Sequence, residues 1–190
     1  ASKVMVERVM ADLAIADKNF RGVSLRYFNP IGAHESGQIG EDPKGIPNNL
    51  LPFVAQVAVG KREKLSIFGD NYPTKDGSCE RDYLHVMDLA EGHVAALNWL
   101  KSNSEFTGVE SFNLGTGTGT SVFDIVKAFE QATEVTIPFE VAAPREGDLP
   151  AFWANATKAN DMLNWQAKRG LQQMMSDTWH WQSGNPNGYE

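Results

Sequence analysis

Short apolar runs that favour β-strands alternate along this sequence with longer segments of helical periodicity. The strand-like runs lie at 23–28, 64–68 and 111–115, and helical patterns lie at about 48–60, 88–100 and 122–132. This alternation is typical of α/β proteins with some parallel sheet, because parallel strands need crossover connections. A doubly wound unit would open with a strand, a glycine-rich turn and a helix, and the sequence has no such opening. The pattern therefore predicts an α/β fold that lacks the start of such a unit.

The composition is that of a globular chain of one domain or slightly more. Of 190 residues, 42% are hydrophobic, and the net charge of −7 argues against a general nucleic-acid binder, which needs clustered Lys and Arg. Cys79 is the single cysteine, so no internal disulfide can form and a reducing, cytoplasmic setting is expected. No apolar run approaches the roughly 18 residues of a membrane helix, so no membrane association is expected. The chain starts at Ala1 rather than Met, and we expect it to be part of a longer protein.

A glycine-rich segment, GTGTGT at 115–120, lies between a predicted strand and a predicted helix. This position suits a phosphate-binding fingerprint, but the last glycine of that fingerprint would fall at Thr120. A strand-to-helix turn, with Thr120 or Ser121 capping the helix, is the preferred interpretation. By the same reasoning Asp88 is expected to cap the preceding helix.

Two short polar clusters stand beside apolar runs, Arg81-Asp82-Tyr83 and Arg145-Glu146-Gly147-Asp148. Arginine presents a planar fork of donors that suits phosphate oxygens, so two arginines from distant segments could clamp a diphosphate. Surface arginine–carboxylate pairs of little energetic value are the alternative, and the residues alone favour them.

Asparagines border a long Gly- and Pro-rich loop over 31–47, with Asn29 before it and Asn48 and Asn49 after it. Their amides can donate to and accept from sugar hydroxyls, although turns and helix caps are commoner roles. Asn29-Pro30 is expected to end the first strand, since proline lacks the donor that a ladder needs. His85 and His93 have no third ligand at metal spacing, so no metal site is expected.

The most specific feature is a series of long motifs in fixed order. They are LRYFNPIGAHESGQIGEDPKGIPNNLLPFVAQVAVGKRE at 25–63, LSIFGDNYPTKDGSCERDYLHVMDLAEGH at 65–93, FNLGTG at 112–117, PREGDLPAFWANATKA at 144–159 and DTWHWQS at 177–183. Together they resemble the UDP-glucose 4-epimerase family of the extended short-chain dehydrogenase/reductase group. The resemblance covers essentially the whole chain and implies the carboxy-terminal, UDP-sugar-binding part of such an enzyme.

The resemblance also implies a fold, a division into domains and a cofactor. The fold would be the carboxy-terminal substrate domain of an extended short-chain dehydrogenase with the last elements of its Rossmann sheet. Residues 1–30 and 82–120 would supply those trailing Rossmann elements, and residues 31–81 and 121–190 would form the UDP-sugar-binding domain. NAD would be the cofactor, bound mainly by a missing amino-terminal part. Lys3 would close the family's Tyr-x-x-x-Lys motif, whose tyrosine would precede Ala1 by two residues.

The implied reaction interconverts UDP-galactose and UDP-glucose through transient oxidation at C4 of the hexose. The family's tyrosine removes the proton of the 4-hydroxyl, and the lysine lowers the pKa of that phenol. The sugar then turns over before the hydride returns, so UDP must be held firmly and the hexose loosely.

The resemblance assigns roles to individual residues. Lys3 would be catalytic and would contact the cofactor together with Tyr27 and Phe28. The substrate would be bound by Asn29, Asn49, Leu50, Ser66, Ile67, Phe68, Arg81, Tyr83, Arg145, Asp148 and Phe152. In this set the two arginines would hold the diphosphate, the backbone of 66–68 would read uracil, and Tyr83 and Asp148 would lie near the ribose.

Phe152 would stand beside the hexose, where the family commonly has tyrosine and its broader-specificity members have a small residue. Phenylalanine keeps the bulk and loses the hydroxyl. We therefore expect a preference for UDP-glucose and UDP-galactose over their N-acetyl forms.

Several alternatives stay open. The isolated chain is expected to be inactive, because it would lack both the tyrosine and the cofactor loop. It could instead be a UDP-sugar-binding fragment without chemistry, a structural remnant, or part of another NAD-dependent nucleotide-sugar dehydratase or decarboxylase. A homodimer is expected, because the strands at 23–28 and 111–115 would otherwise leave unpaired edges.

Overall fold

A computed structural model describes residues 2–189. Within them the chain forms six helices and nine strands. The helices are α1 (Ser2–Ala16), α2 (Leu50–Ala58), α3 (Val86–Ser102), α4 (Val122–Thr133), α5 (Thr157–Leu163) and α6 (Leu171–Gly184). The strands are β1 (Arg21–Tyr27), β2 (Asn29–Ile31), β3 (Leu65–Phe68), β4 (Glu80–Arg81), β5 (Tyr83–His85), β6 (Gly108–Leu114), β7 (Thr120–Ser121), β8 (Phe139–Ala142) and β9 (Ala151–Phe152). The predicted α/β class is confirmed.

The first core forms on the parallel pair of β1 and β6, which align from Arg21 opposite Gly108 to Tyr27 opposite Leu114. Helices α3 and α5 cover the pair. The buried side chains of this core are Leu84, Leu89, Ala96, Phe112, Leu114, Ala159, Leu163 and Trp165. Trp165 Nε1 also donates to the carbonyl of Asp88 at 2.9 Å, so its indole has both apolar cover and a polar partner.

The second core lies between α2, β3, α4 and α6. Its largest buried side chains include Leu51, Ile67, Ile125, Phe129 and Met175. Full burial of one such side chain contributes about 1.5–3 kcal/mol. Helix α4 starts at Ser121, whose hydroxyl accepts from the N–H of Asp124 at 3.1 Å, and the predicted cap is thus confirmed.

The chain crosses repeatedly between the two cores. It leaves the first core after β1, enters the second at Ile31 and returns to the first at Leu84. Helix α4 then belongs to the second core, α5 to the first and α6 again to the second. The division into two domains stays a prediction. That division places α5 in the UDP-sugar-binding domain. In the structure, α5 packs on α3 and β6.

Small sheets connect the cores. Strand β2 pairs in parallel with β5, and β4 lies between β7 and β9. The first strand ends at Tyr27, before Asn29-Pro30 as expected, but these two residues themselves begin a second strand, β2. Proline is tolerated there since β2 has one partner strand, and its other edge needs no ladder donor.

Helix α3 begins differently from the sequence expectation. His85 is its cap, with Nδ1 accepting from the N–H of Met87 at 3.0 Å. Asp88 is in the first turn and fully buried, and its carboxylate accepts from the backbone N–H groups of Lys168 and Arg169 at 3.1 and 3.0 Å. The predicted Asp88 cap is therefore wrong, because this carboxylate binds the segment before α6 instead.

Helix α1 contacts β1 and β6 but buries no side chain fully. Its exposed apolar residues are Val4, Met5, Val6, Val9, Leu13 and Ile15. Glu7 fastens the helix to β1 by accepting from Arg26 Nε at 2.6 Å. Across residues 2–189, no helix has both the length and the apolar character that a membrane crossing requires.

Candidate functional site

A cavity of about 390 Å³ opens among the loop before α2, strands β3 to β5 and the 145–148 turn. Its size is within the range of small-molecule sites. Ten of the residues predicted to bind substrate line it: Asn29, Asn49, Leu50, Ser66, Ile67, Phe68, Arg81, Tyr83, Arg145 and Asp148. The structure thus brings together segments that are far apart in the sequence.

Two arginines converge on one carboxylate in the cavity wall. Arg145 Nε donates to Asp148 Oδ2 at 2.9 Å, and Arg81 Nη2 lies 3.7 Å from Asp148 Oδ1. Arg81 is further fixed by the carbonyls of Glu80 and Leu149, to which its Nη1 donates at 2.8 and 2.7 Å. Asp148 is the one carboxylate among the described lining residues, so the two guanidinium groups leave an excess of positive charge. The arginine–carboxylate pairing and the convergence of the arginines are therefore both present.

Strand β3 presents a free backbone edge. The N–H groups of Leu65 and Gly69 donate to carbonyls on the β8 side at 2.8 and 2.9 Å. Because successive groups on a strand alternate in direction, the N–H groups of Ser66 and Phe68 point to the opposite edge. No strand among residues 2–189 occupies that edge. A planar ligand with donors and acceptors could therefore pair with the backbone there.

Aromatic rings border the same cavity. The Arg145 guanidinium lies 4.8 Å from the centroid of the Phe68 ring, close enough for a cation–π interaction. Burial, opposed by the charge of Arg81, raises the pKa of Tyr83 to about 12. The Tyr83 phenol consequently stays protonated at neutral pH and can both donate and accept a hydrogen bond.

Asn49 lies at the rim of the cavity, directly before α2. Its side chain does not cap the helix, and its Nδ2 donates to Glu41 Oε1 at 3.2 Å. The capping role considered from the sequence is therefore not made by this side chain.

The other four predicted residues lie outside the cavity lining. Phe28 stacks on Phe152 with ring centroids 4.9 Å apart, and Phe152 is opposite Arg81 in the β4–β9 pair. Lys3 Nζ lies 5.8 Å from the centroid of the Tyr27 ring, and both side chains are exposed. Phe28 and Phe152 thus lie next to the lining residues Asn29 and Arg81, whereas Lys3 and Tyr27 lie on the surface at the carboxyl end of β1.

A buried carboxylate behind the cavity wall was not identified from the sequence. Asp82 is fully buried and accepts from the N–H groups of Thr116, Gly117 and Ala154 at 2.9, 2.9 and 3.1 Å. The hydroxyl of Thr116 donates to it as well, at 2.6 Å. Two amides of the 115–120 turn, those of Thr116 and Gly117, are thereby occupied by a protein carboxylate. This is why the turn does not offer the phosphate cradle that its glycines resemble.

Several other lining residues carried no chemical signal in the sequence. They are Ile46, Pro47, Phe53, Leu65, Cys79 and Val122. Most are apolar side chains of a kind that lines ordinary cores, so only the three-dimensional arrangement distinguishes them. Asn48 also lines the cavity; its amide can bind sugar hydroxyls, but the resemblance assigns it no role.

The histidines have structural partners. Buried His85 lies with Nε2 3.1 Å from Asp177 Oδ2, and burial lowers its pKa against the opposing effect of Asp177. His93 Nδ1 lies 2.9 Å from the carbonyl oxygen of Leu89. In the part of the chain that the structure describes, no group of three or more His, Cys, Asp or Glu side chains is arranged to hold a metal ion.

Comparison with known proteins gives consistent relatives. A family model described as GDP-mannose 4,6 dehydratase matches residues 1–178. A UDP-glucose 4-epimerase of Erwinia amylovora is 58% identical over 187 residues, which cover 98% of this chain and 55% of that protein. The UDP-glucose 4-epimerase of Drosophila melanogaster is 53% identical over 188 residues, covering 99% of this chain and 53% of that protein.

Solved structures agree. The crystal structure of UDP-glucose 4-epimerase from Bifidobacterium longum, in complex with NAD⁺ and UDP, superimposes with a TM-score of 0.92 at 46% identity. The superposition covers 98% of this chain and 54% of the Bifidobacterium longum chain. This chain therefore spans about half the length of the relatives that it matches. By its motifs, its fold and the family model, it belongs to the extended short-chain dehydrogenase/reductase family, and these relatives within that family are UDP-glucose 4-epimerases.

Proposed function

We propose that the protein to which these residues belong interconverts UDP-galactose and UDP-glucose, and that this chain supplies its UDP-sugar-binding side. The observation that carries the proposal is the meeting of two arginines and a free strand edge in one cavity. A nucleoside diphosphate needs cations for its phosphates and a flat, hydrogen-bonding surface for its base.

The charges suit a diphosphate. Asp148 holds both arginines near each other. Phosphate oxygens can take the donors that Arg145 now gives to Asp148, and Arg81 is already oriented by two carbonyls. Asp148 would then accept from a ribose hydroxyl. Pre-oriented donors reduce the entropy lost on binding, which supports a firm grip on UDP.

The hexose end is built differently. Asn29 supplies an amide, and Phe152 supplies a half-exposed ring stacked on Phe28. Apolar faces and one amide restrain a sugar less than charge-assisted bonds restrain a phosphate. This contrast supports a reaction in which the hexose must present both faces while UDP stays bound.

The residues that remain suit an NAD cofactor. Lys3 and Tyr27 are exposed next to each other at the carboxyl end of β1, the edge at which open parallel sheets bind ligands. When bound there, NAD would supply reversible hydride acceptance at C4 of the sugar. Lys3 would donate to the cofactor ribose, and its charge would lower the pKa of the phenol that takes the 4-hydroxyl proton.

We further propose a cytoplasmic homodimer. The exposed apolar residues of α1 favour cover by a second copy, since Val6, Val9 and Leu13 lie at helical spacing on one face of the helix. Cys79 is a free thiol buried in the fold, which suits a reducing compartment.

Titration calorimetry of the full-length protein with UDP tests the binding site directly. We expect saturable binding that Arg145→Met weakens about tenfold, because it removes a planar, charge-assisted donor set. Lys127→Met is the matched control, since Lys127 is an exposed cation on α4 outside the cavity lining. Equal UDP affinity of both variants and the wild type would refute the assigned site.

Conversion of UDP-galactose to UDP-glucose by the same preparation tests the reaction. The family model's description favours one competing activity, a nucleotide-sugar dehydratase. A dehydratase would release water and give a keto-deoxy sugar, which mass spectrometry separates from an isomer of unchanged mass.

A further inference from the structure

The loop between β2 and α2 forms one wall of the cavity without any regular structure of its own. It runs from Gly32 to Asn49, and its last four residues line the cavity together with Leu50. A segment of this length without helix or strand keeps one conformation only if other parts of the chain hold it.

The carboxy-terminal segment holds this loop near its middle. Tyr189 Oη accepts from the N–H of Gly40 at 2.8 Å and donates to the carbonyl of the same residue at 3.2 Å. The Tyr189 N–H donates to Asp42 Oδ2 at 3.1 Å. One side chain thus satisfies both backbone groups of a residue 149 positions away.

Helix α6 packs against the same part of the loop. A Cβ atom on Gly40 would overlap the buried indole of Trp181, so only glycine permits the loop to lie this close. The Tyr189 ring lies 5.5 Å from the Trp181 ring, and His180 Nδ1 lies 3.0 Å from the carbonyl oxygen of Glu35. The loop is therefore held by contacts with α6 and with the residues that follow α6 in the chain.

A hydrogen bond connects this held part of the loop to the cavity. Glu41 directly follows Gly40, and its Oε1 accepts from Asn49 Nδ2 at 3.2 Å. Asn49 and Asn48 line the cavity, with Leu50 beginning α2. This bond links the residue next to Gly40 to the wall that would face the ligand.

We propose that Tyr189 is a positioning residue for UDP-sugar binding, which acts by holding the Gly32–Asn49 loop in its ligand-binding shape. The inference rests on the proposed function for its ligand. It adds a role for the carboxy-terminal residues, which touch neither the cavity nor the surface at Lys3.

Tyr189→Phe in the full-length protein tests the proposal, because it removes one hydroxyl and keeps the ring on Trp181. The Tyr189 side chain is half-exposed, so the variant is expected to fold. Without ligand, hydrogen exchange should rise across residues 33–49 and stay unchanged in β1 and β6. The KM for UDP-galactose and the Kd for UDP should each rise about three- to tenfold, the equivalent of one or two lost hydrogen bonds. Because the chemistry is distant, kcat should stay within about twofold.

Ser176→Ala is the matched control. Its hydroxyl donates only to the Gln172 carbonyl within α6, and it should change neither exchange in the loop nor KM. Unchanged exchange in Tyr189→Phe, or faster exchange with unchanged KM and Kd, overturns the proposal. A wild-type protein that does not bind UDP refutes the proposed function instead, and the exchange measurement still decides whether Tyr189 holds the loop.

Discussion

At the scale of single residues, the side chains around the cavity divide into fixed and adaptable groups. Arg81 is fixed by two carbonyls and by Asp148, whereas the outer arginine, Arg145, is more than half exposed. Phe152 is also half exposed, and its ring stacks on Phe28. Adaptable groups are where substrate selectivity can change without loss of the fold.

The bulk of Phe152 is expected to select against N-acetyl sugars. Phe152→Ser opens the space beside the hexose, and we expect it to raise kcat/KM for UDP-N-acetylglucosamine relative to UDP-glucose by about tenfold or more. Coupled assays of the full-length protein with both substrates measure the ratio, and Phe152→Tyr, which keeps the bulk, should leave it unchanged. Equal turnover of both substrates by the wild type would show that Phe152 does not exclude the acetyl group.

At the scale of elements, one carboxylate holds three segments together. Asp82 lies between the cavity residues Arg81 and Tyr83 and accepts from the 115–120 turn and from the segment after β9. The carboxylate is fully buried, and its bond from the N–H of Ala154 is buried as well, so at least this bond is shielded from water.

Asp82→Asn is expected to destabilise the protein by about 2–3 kcal/mol. An amide has one acceptor oxygen where the carboxylate had two, so its NH₂ group would face backbone donors. Urea unfolding of the full-length protein measures the change. The exposed Asp161→Asn on α5 is the control and should stay within about 0.5 kcal/mol of the wild type. An Asp82→Asn protein as stable as that control would contradict the role given to this carboxylate.

At the scale of the whole molecule, the two cores are joined by buried polar contacts. His85 caps α3 in the first core and meets Asp177 of α6, which belongs to the second. Arg169, before α6, bonds Asp88 and Glu91 on α3, with Arg169 Nη2 to Glu91 Oε1 at 2.8 Å. The cores are therefore expected to unfold together.

Stability should depend on pH through His85. Burial lowers its pKa and Arg169 lowers it further, while Asp177 and Asp88 raise it. The unfolded chain, with a histidine pKa near 6.5, then binds more protons than the folded protein as pH falls. The contribution of neutral His85 is complete above that value and is lost below it, as pH approaches the folded pKa.

His85→Asn provides the comparison, because asparagine can cap α3 but does not titrate. Between about pH 7.5 and pH 5.5 the wild type should lose about 1 kcal/mol more of its free energy of unfolding than the variant. Urea unfolding at a series of pH values gives both curves. Parallel curves would mean that His85 keeps its ordinary pKa in the fold.

Local patterns in the sequence predicted the α/β class, most elements and the Ser121 cap. They failed where distant residues decide the outcome. Strand β2 exists only because β5 lies beside it, and histidine caps α3 because Asp88 is taken by residues 80 positions further on. The cavity residues could be predicted only from the long family motifs. Taken alone, the clusters around Arg81 and Arg145 favoured surface arginine–carboxylate pairs. No local pattern predicts the hydrogen bond between Asp82 and Ala154, or those between Tyr189 and Gly40.

The repeated crossing of the chain between its cores has a consequence for synthesis on the ribosome. The first core includes Trp165 and the second includes Met175. Neither core is therefore complete until the last part of this chain has been translated. The nascent polypeptide must expose Phe112 until Trp165 has been added, and Phe129 until Met175 has been added. We expect stalled or truncated products of this chain to depend on chaperones and to be degraded, rather than to accumulate as folded fragments.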